Sequence, residues 1–95
     1  MDRFNTMATF VRVAQLGSLS AAARDLGLTQ PAVSQQVAAL ERRLGVRLLN
    51  RSTRRLALTE AGERYHTQAR RILEAVTEAE DGLADASEAA ARTWT

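Results

Sequence analysis

The fold of this chain is decided by residues 20–37, which read SAAARDLGLTQPAVSQQV and predict two short helices joined by a tight turn. The alanine-rich first half favours a helix that ends at Leu26, and Gly27 suits the left-handed position that follows a helix. Thr29 offers an N-cap oxygen for a second helix, and Pro31 falls in its first turn, where a missing N–H costs nothing. One helix that stops while another starts within about three residues is the helix-turn-helix geometry, whose second helix can lie in the DNA major groove.

The second helix is expected to bury one face and present the other. The residues predicted to share an apolar seam are Leu26, Leu28, Val33 and Val37, and Ala23 is the small residue expected where the two helices approach closely. The residues predicted to point outward are Gln30, Ser34 and Gln35, with Pro31 and Ala32 at the tip. Short polar and small apolar side chains suit base edges and thymine methyl groups. An ordinary helical hairpin with a polar outer face is the alternative that this stretch alone leaves open.

Length and composition limit the class of protein. A chain of 95 residues predicts one small domain with one core. The absence of cysteine excludes a disulfide and a thiolate metal site. No apolar segment approaches the length of a membrane span, and no signal-peptide core opens the chain. We therefore expect a soluble, cytoplasmic protein with no membrane partner.

Charge is distributed unevenly along the chain, and all 13 basic residues are arginine. Residues 40–71 carry nine arginines against three glutamates, which is a net charge of +6, whereas residues 72–95 carry a net charge of −5. Because the basic block directly follows the helix-turn-helix, a polyanion held by the middle third of the chain would explain the asymmetry. A pair of solvated helix faces of opposite sign is the alternative.

Helical periodicity predicts a first helix over residues 3–16, capped by Asp2, and a recognition helix from about Gln30 to Leu44 that Gly45 ends. Leu40 and Leu44 continue the apolar stripe of that recognition helix.

The period changes over residues 46–58, where two short apolar runs flank a polar tip at residues 50–55. We interpret this pattern as two short strands and a turn, which is a small β-wing. Such a wing would place Arg51, Arg54 and Arg55 beside the recognition helix, where arginine can enter the minor groove. A solvated basic loop is the alternative.

The last predicted helix begins after the cap Thr59 and runs to about Ala90, while residues 91–95 show no pattern. Its apolar residues alternate at spacings of four and three, which is a heptad seam. The seam residues are Tyr65, Ala69, Ile72, Val76, Ala79, Leu83, Ala86 and Ala90. Since so small a domain cannot cover this stripe, we expect a second copy of the helix to do so in a homodimer. A protein-interaction module that works through this helix is a second candidate function.

Catalysis is not expected. The chain has one histidine, His66, and no cysteine, and its serines and threonines lack an accompanying base and orienting group. No metal-ligand cluster or glycine-rich phosphate loop occurs. His66 is one residue past the seam, so we expect it at the surface or at the edge of a dimer.

Six short motifs follow one another along the chain: FVxVA at 10–14, GSLSAAA at 17–23, LTQPAVS at 28–34, LExxLG at 40–45, LLxR at 48–51 and LTxxG at 58–62. In order and spacing, the chain resembles the N-terminal domain of a LysR-type transcriptional regulator over residues 3 to about 90. The resemblance implies a mainly α fold, with a winged helix-turn-helix of three helices and a two-stranded wing over residues 1–58. A dimerising linker helix over 59–90 and a tail at 91–95 would follow.

The resemblance also implies a function and a set of contacts. Members of the family bind double-stranded DNA at interrupted palindromes near promoters, usually as tetramers of the full-length protein. Residues matching Gln30, Pro31, Ser34 and Gln35 face the major groove in the family, although arginine often stands where this chain has Gln35. The residue matching Arg54 enters the minor groove from the wing, with Arg55 beside it here. We assign Thr29, Arg51, Ser52 and Thr53 to phosphates.

Family members are typically about three times longer, with a C-terminal domain that binds a small effector. We expect that domain to be missing from these 95 residues, and both an expressed fragment and a naturally short protein are open alternatives. We therefore expect no cofactor here and a small-molecule effector for the missing domain.

Overall fold

The computed structural model describes the backbone of residues 2–50 and 56–94, and the side chains as far as residue 83. The order of elements matches the predicted winged helix-turn-helix followed by a long helix. The elements are α1 (Arg3–Leu16), α2 (Leu19–Leu26), α3 (Gln30–Leu44), β1 (Leu49–Asn50), β2 (Ala57–Leu58) and α4 (Glu60–Trp94).

Local capping chemistry sets the ends of the first three helices. Asp2 and Thr29 accept hydrogen bonds from the backbone nitrogens of Phe4 and Ala32, as their predicted N-cap roles require. The glycines that follow α1, α2 and α3 all have φ between 67° and 70°, a region that other residues rarely enter. The predicted bounds of α1 and α3 are confirmed, and α2 begins at Leu19 after the cap Ser18.

The core lies where α1, α2 and α3 meet the base of the wing. Its buried members are Phe10, Val13, Ala22, Ala23, Val33, Val37, Leu40, Leu48 and Leu49. Leu58, Ala61 and Tyr65 pack against this cluster from β2 and the start of α4. The first turns of α4 therefore belong to the same core as the helix-turn-helix.

The two strands form an antiparallel pair in which Leu49 lies opposite Leu58 and Asn50 opposite Ala57. The predicted two-stranded wing is thus confirmed at its base. The tip, residues 51–55, lies outside the described residues.

Three leucines predicted to be inward are exposed instead: Leu26 and Leu28, at 38% and 39%, and Leu44, at 40%. The first two flank Gly27, whose left-handed backbone turns the chain at the end of α2. In the last turn of α3 the buried position belongs to Glu41 rather than to Leu44. In its last turn, the side of α3 that faces the wing therefore carries the carboxylate of Glu41 and not the side chain of Leu44.

The last helix, α4, is longer than its predicted length. It continues to Trp94, beyond the predicted end near Ala90, so residues 91–94 are helical rather than a patternless tail.

Candidate nucleic-acid interface

The N-terminal turns of α3 present most of the residues predicted to contact bases. Gln30, Pro31 and Gln35 are exposed, and Ala32 and Ser34 are half-buried. Thr29, predicted to meet phosphate, is exposed and caps the helix with its hydroxyl, which accepts from the Ala32 backbone nitrogen at 3.2 Å. These six residues form the exposed N-terminal surface of α3.

The opposite face of α3 holds this surface in place. Val33, Val37 and Leu40 are 0% exposed and belong to the core. Because a packed core resists small displacements, the outward side chains are carried on a rigid support.

Two neighbouring glutamines of α3 have different surroundings. Gln35 is exposed, whereas Gln36 is half-buried and its Oε1 accepts a hydrogen bond of 2.6 Å from the hydroxyl of Thr9 on α1. Gln36 therefore ties the recognition helix to α1, and Gln35 is the glutamine of this pair that is open to a ligand.

Gln30 is held by a side chain of α2. The hydroxyl of Ser20 donates to Oε1 of Gln30 at 2.9 Å. This hydrogen bond crosses the turn of the helix-turn-helix and joins two exposed residues.

Glu41 connects α3 to the wing, a role that the sequence analysis missed. Its side chain is 8% exposed. One carboxylate oxygen accepts hydrogen bonds from the backbone nitrogens of Leu48 and Leu49, at 2.8 and 3.2 Å. The backbone carbonyl of Glu41 accepts from Gly45 and Val46, at 2.8 and 3.2 Å. A single residue of α3 therefore accepts hydrogen bonds from four backbone N–H groups, three in the connection that follows α3 and one in β1 itself.

Basic side chains are found at the other end of α3, where the chain leads into the wing. Arg42, Arg43 and Arg47 are exposed near the end of α3, and Arg47 also lies 3.6 Å from the Glu41 carboxylate. The five residues assigned to the wing tip are Arg51, Ser52, Thr53, Arg54 and Arg55, and all lie outside the described residues. Their contacts with phosphate and minor groove stay predictions.

An ion pair joins α1 to α2 away from this surface. The guanidinium of Arg12 donates to both carboxylate oxygens of Asp25, at 2.6 and 3.0 Å. The hydrogen bond from Arg12 lowers the pKa of Asp25, and the same bond raises the pKa of Arg12.

The seam predicted on α4 is divided between the core and the exterior. Tyr65 is half-buried against Phe10, with ring centroids 5.6 Å apart, and Ala69 is 1% exposed inside the single chain. Burial raises the pKa of Tyr65. Further along, Ile72 is 47% exposed and Leu83 is 70% exposed.

The remaining seam residues complete this division. Val76 is half-buried and Ala79 is exposed. The side chain of Ala86 lies outside the described part of the chain. A partner helix can therefore reach Ile72, Val76, Ala79 and Leu83 but not Ala69.

His66 differs from its predicted position at the surface or a dimer edge. It is half-buried, with its ring edge-on to Phe10 at a centroid distance of 6.5 Å. Its Nε2 atom is buried and has no hydrogen-bond partner among the described residues. His66 is half-buried because the face of α4 that packs on α1 is wider than the heptad seam alone.

The described parts of the chain contain neither a metal-ligand cluster nor a helix able to span a membrane. Residues 2–50 and 56–83 contain no cluster of three histidine, aspartate or glutamate side chains able to hold a metal ion. Among the helices described, none combines the length and apolar character that crossing a membrane requires.

Solved structures with this arrangement include two DNA complexes. The structure of the BenM DBD with catB site 1 DNA has a TM-score of 0.85 and 29% identity, covering 92% of this chain and 97% of that one. The CbnR DBD–DNA complex has a TM-score of 0.78 and 41% identity, covering 92% of this chain and 99% of that one.

Sequence relatives are transcriptional regulators rather than enzymes. An HTH-type transcriptional repressor of Pseudomonas aeruginosa strain UCBPP-PA14 is 49% identical over 83 residues, which are 87% of this chain and 26% of the relative. The transcriptional activator AaeR of Escherichia coli K12 is 45% identical over 83 residues, which are 87% of this chain and 27% of AaeR. The chain thus spans about a quarter of the length of these curated relatives.

The family model described as "Bacterial regulatory helix-turn-helix protein, lysR family" matches residues 4–63. That match begins at the second residue of α1 and ends in the first turn of α4, so it includes nearly all of the winged helix-turn-helix. The chain therefore belongs to the LysR family of bacterial helix-turn-helix regulators.

Proposed function

We propose that this chain binds double-stranded DNA in a sequence-dependent manner, with the exposed N-terminal surface of α3 in the major groove. The observation that carries the proposal is the contrast between the two faces of α3. Gln30, Pro31 and Gln35 are exposed, while Val33 and Val37 behind them are completely buried. The BenM and CbnR domains, which share this fold, were solved in complex with DNA, and this supports DNA as the ligand of this chain.

Each predicted contact has its own chemistry in this proposal. Polar and small side chains of α3 meet base edges, where hydrogen bonds and methyl contacts carry sequence information. These residues are Gln30, Pro31, Ala32, Ser34 and Gln35. Thr29, Arg51, Ser52 and Thr53 meet phosphates and set the register. Arg54 and Arg55 enter the adjacent minor groove, where A/T-rich sequence narrows the groove and strengthens its negative potential.

We further propose that α4 makes the chain a homodimer. The seam residues Ile72, Ala79 and Leu83, which are exposed, and Val76, which is half-buried, would pack against the same seam of a second copy. A two-fold symmetric dimer would bind an interrupted palindrome near a promoter, since half-site symmetry mirrors protein symmetry. In a longer protein, a C-terminal domain would bind a small-molecule effector and allow tetramers to form.

Selection from a randomised duplex library tests the proposal, because the binding sequence need not be known beforehand. The selected duplex and a scrambled duplex are then titrated with wild type, Gln35→Ala and Gln68→Ala by fluorescence anisotropy near physiological salt. We expect Gln35→Ala to lose discrimination worth about 1–3 kcal/mol. Gln68 is exposed on α4, so Gln68→Ala should match wild type.

Two outcomes would overturn the proposal. If the wild type bound both duplexes equally and with a steep dependence on salt, phosphate contacts alone would account for the binding, without recognition of sequence. Absence of binding to any duplex would favour the protein-interaction module.

A further inference from the structure

The side chain of Gln30 is oriented before any DNA is bound. Ser20 lies in the first turn of α2, and its hydroxyl donates to Gln30 Oε1 at 2.9 Å. Gln30 is the first residue of α3. The hydrogen bond therefore joins the two helices of the helix-turn-helix at the edge of the exposed N-terminal surface of α3.

This hydrogen bond has a chemical consequence for recognition. A glutamine amide carries one acceptor oxygen and two N–H donors. A bidentate contact with adenine uses both kinds of group, because the amide must donate to N7 and accept from the N6 amino group. Ser20 occupies one of the two lone pairs of Oε1, whereas no hydrogen bond within the described residues engages the amide nitrogen, so the donor side of Gln30 is the side left fully free for a ligand.

We propose that Ser20 is a specificity-determining positioning residue that makes Gln30 act as a hydrogen-bond donor toward DNA. This inference rests on the proposed function and deepens it. Gln30 then favours base edges rich in acceptors, which are guanine O6 and N7 or thymine O4, over the amino group of adenine. Ser20 touches Gln30 and acts on base choice through it.

A double-mutant cycle tests this assignment. Wild type, Ser20→Ala, Gln30→Ala and the double variant are each subjected to the duplex selection, and their affinities for the wild-type sequence are measured. We expect Ser20→Ala to weaken binding to that sequence roughly 3- to 10-fold. It should also increase the share of adenine at the position that Gln30 contacts.

Two comparisons separate positioning from other roles. In the Gln30→Ala background, Ser20→Ala should change neither affinity nor base preference, since the group that it orients is gone. Ser20→Thr keeps the hydroxyl and should restore the wild-type preference. Ser20 is exposed, so thermal unfolding of Ser20→Ala should match wild type.

Other results would overturn the inference while leaving the proposed function intact. If Ser20→Ala weakened binding to all duplexes equally, both with Gln30 present and in the Gln30→Ala background, Ser20 would be contacting phosphate directly. If Ser20→Ala left base preference unchanged while Gln30→Ala altered it, Gln30 would read DNA without Ser20. If the wild type showed no sequence preference, the proposed function itself would fail.

Discussion

The Glu41 carboxylate lies 2.8 Å from the backbone nitrogen of Leu48 and accepts its hydrogen bond. Glu41 belongs to the recognition helix, and Leu48 directly precedes β1. The wing therefore starts from a point fixed on the helix proposed to read the major groove. A buried acceptor that serves two backbone donors is costly to lose, because those donors cannot turn to water.

We predict that Glu41→Ala lowers the free energy of unfolding by about 2–4 kcal/mol, since the N–H groups of Leu48 and Leu49 would lose their acceptor. Glu41→Gln keeps an acceptor oxygen and should lose less. Urea denaturation followed by circular dichroism measures both. Glu80 is exposed on α4, so Glu80→Ala should stay within about 0.5 kcal/mol of wild type. A loss no greater for Glu41→Ala than for Glu80→Ala would contradict the role of Glu41.

Two glycines of α4 should respond in opposite directions to the same substitution. A Cβ atom on Gly62 would overlap the backbone carbonyl oxygen of Leu48, whereas a Cβ on Gly82 would meet nothing within 4 Å. We predict that Gly62→Ala destabilises the chain by at least about 2 kcal/mol, because α4 must move away from β1. Gly82→Ala should stabilise it by about 0.5–1 kcal/mol, since alanine is the better helix former.

Thermal and urea unfolding of the two variants check this pair. If Gly62→Ala were as stable as wild type, α4 would not pack closely on the start of the wing.

Local chemistry made much of this fold predictable from the sequence. Asp2 and Thr29 cap helices and Gly45 ends one through interactions within a few residues, which a single sequence displays. Glu41 and Gly62 could not be recognised in this way. Glu41 has the residue type of an exposed helix position, and Gly62 resembles an ordinary weak point in a helix. Their roles depend on where β1 passes, which is a tertiary contact.

The candidate interface likewise combines features that a single sequence displays with features that depend on tertiary contacts. The outward residues of α3 follow from helical periodicity, because one face must bury Val33 and Val37. The hydrogen bond from Ser20 to Gln30 joins side chains ten positions apart and depends on how α2 crosses α3. On α4, the heptad pattern predicts one apolar seam, but periodicity cannot say that Ala69 is covered by its own chain and that Leu83 is exposed.

The ion pair between Arg12 and Asp25 should make stability depend on pH in the acid range. Arg12 lowers the folded-state pKa of Asp25 below its ordinary value of 3.8. The resulting stabilisation is present above the unfolded-state pKa and is lost as pH falls through the folded-state pKa. We therefore predict that Asp25→Asn has a lower free energy of unfolding than wild type at pH 7. This difference in stability should disappear at pH values below the folded-state pKa of Asp25.

Urea unfolding across pH measures that difference, and added salt should reduce it, since both side chains are about two-fifths exposed. Asp81 is exposed on α4, so Asp81→Asn provides a matched control without such a pH dependence. A constant difference between Asp25→Asn and wild type down to the lowest pH would argue against the ion pair.

The exposed part of the α4 seam should control self-association. Ile72 and Leu83 are 47% and 70% exposed in the single chain, and a charge buried at either position in a dimer would lack a partner. We predict that Ile72→Glu and Leu83→Glu each weaken dimerisation at least about 10-fold while leaving the monomer folded. Analytical ultracentrifugation measures the association, with Thr67→Glu as control because Thr67 is exposed on the opposite face of α4. A wild type that stays monomeric at tens of micromolar, or a control that dissociates equally, would exclude this seam as the dimer interface.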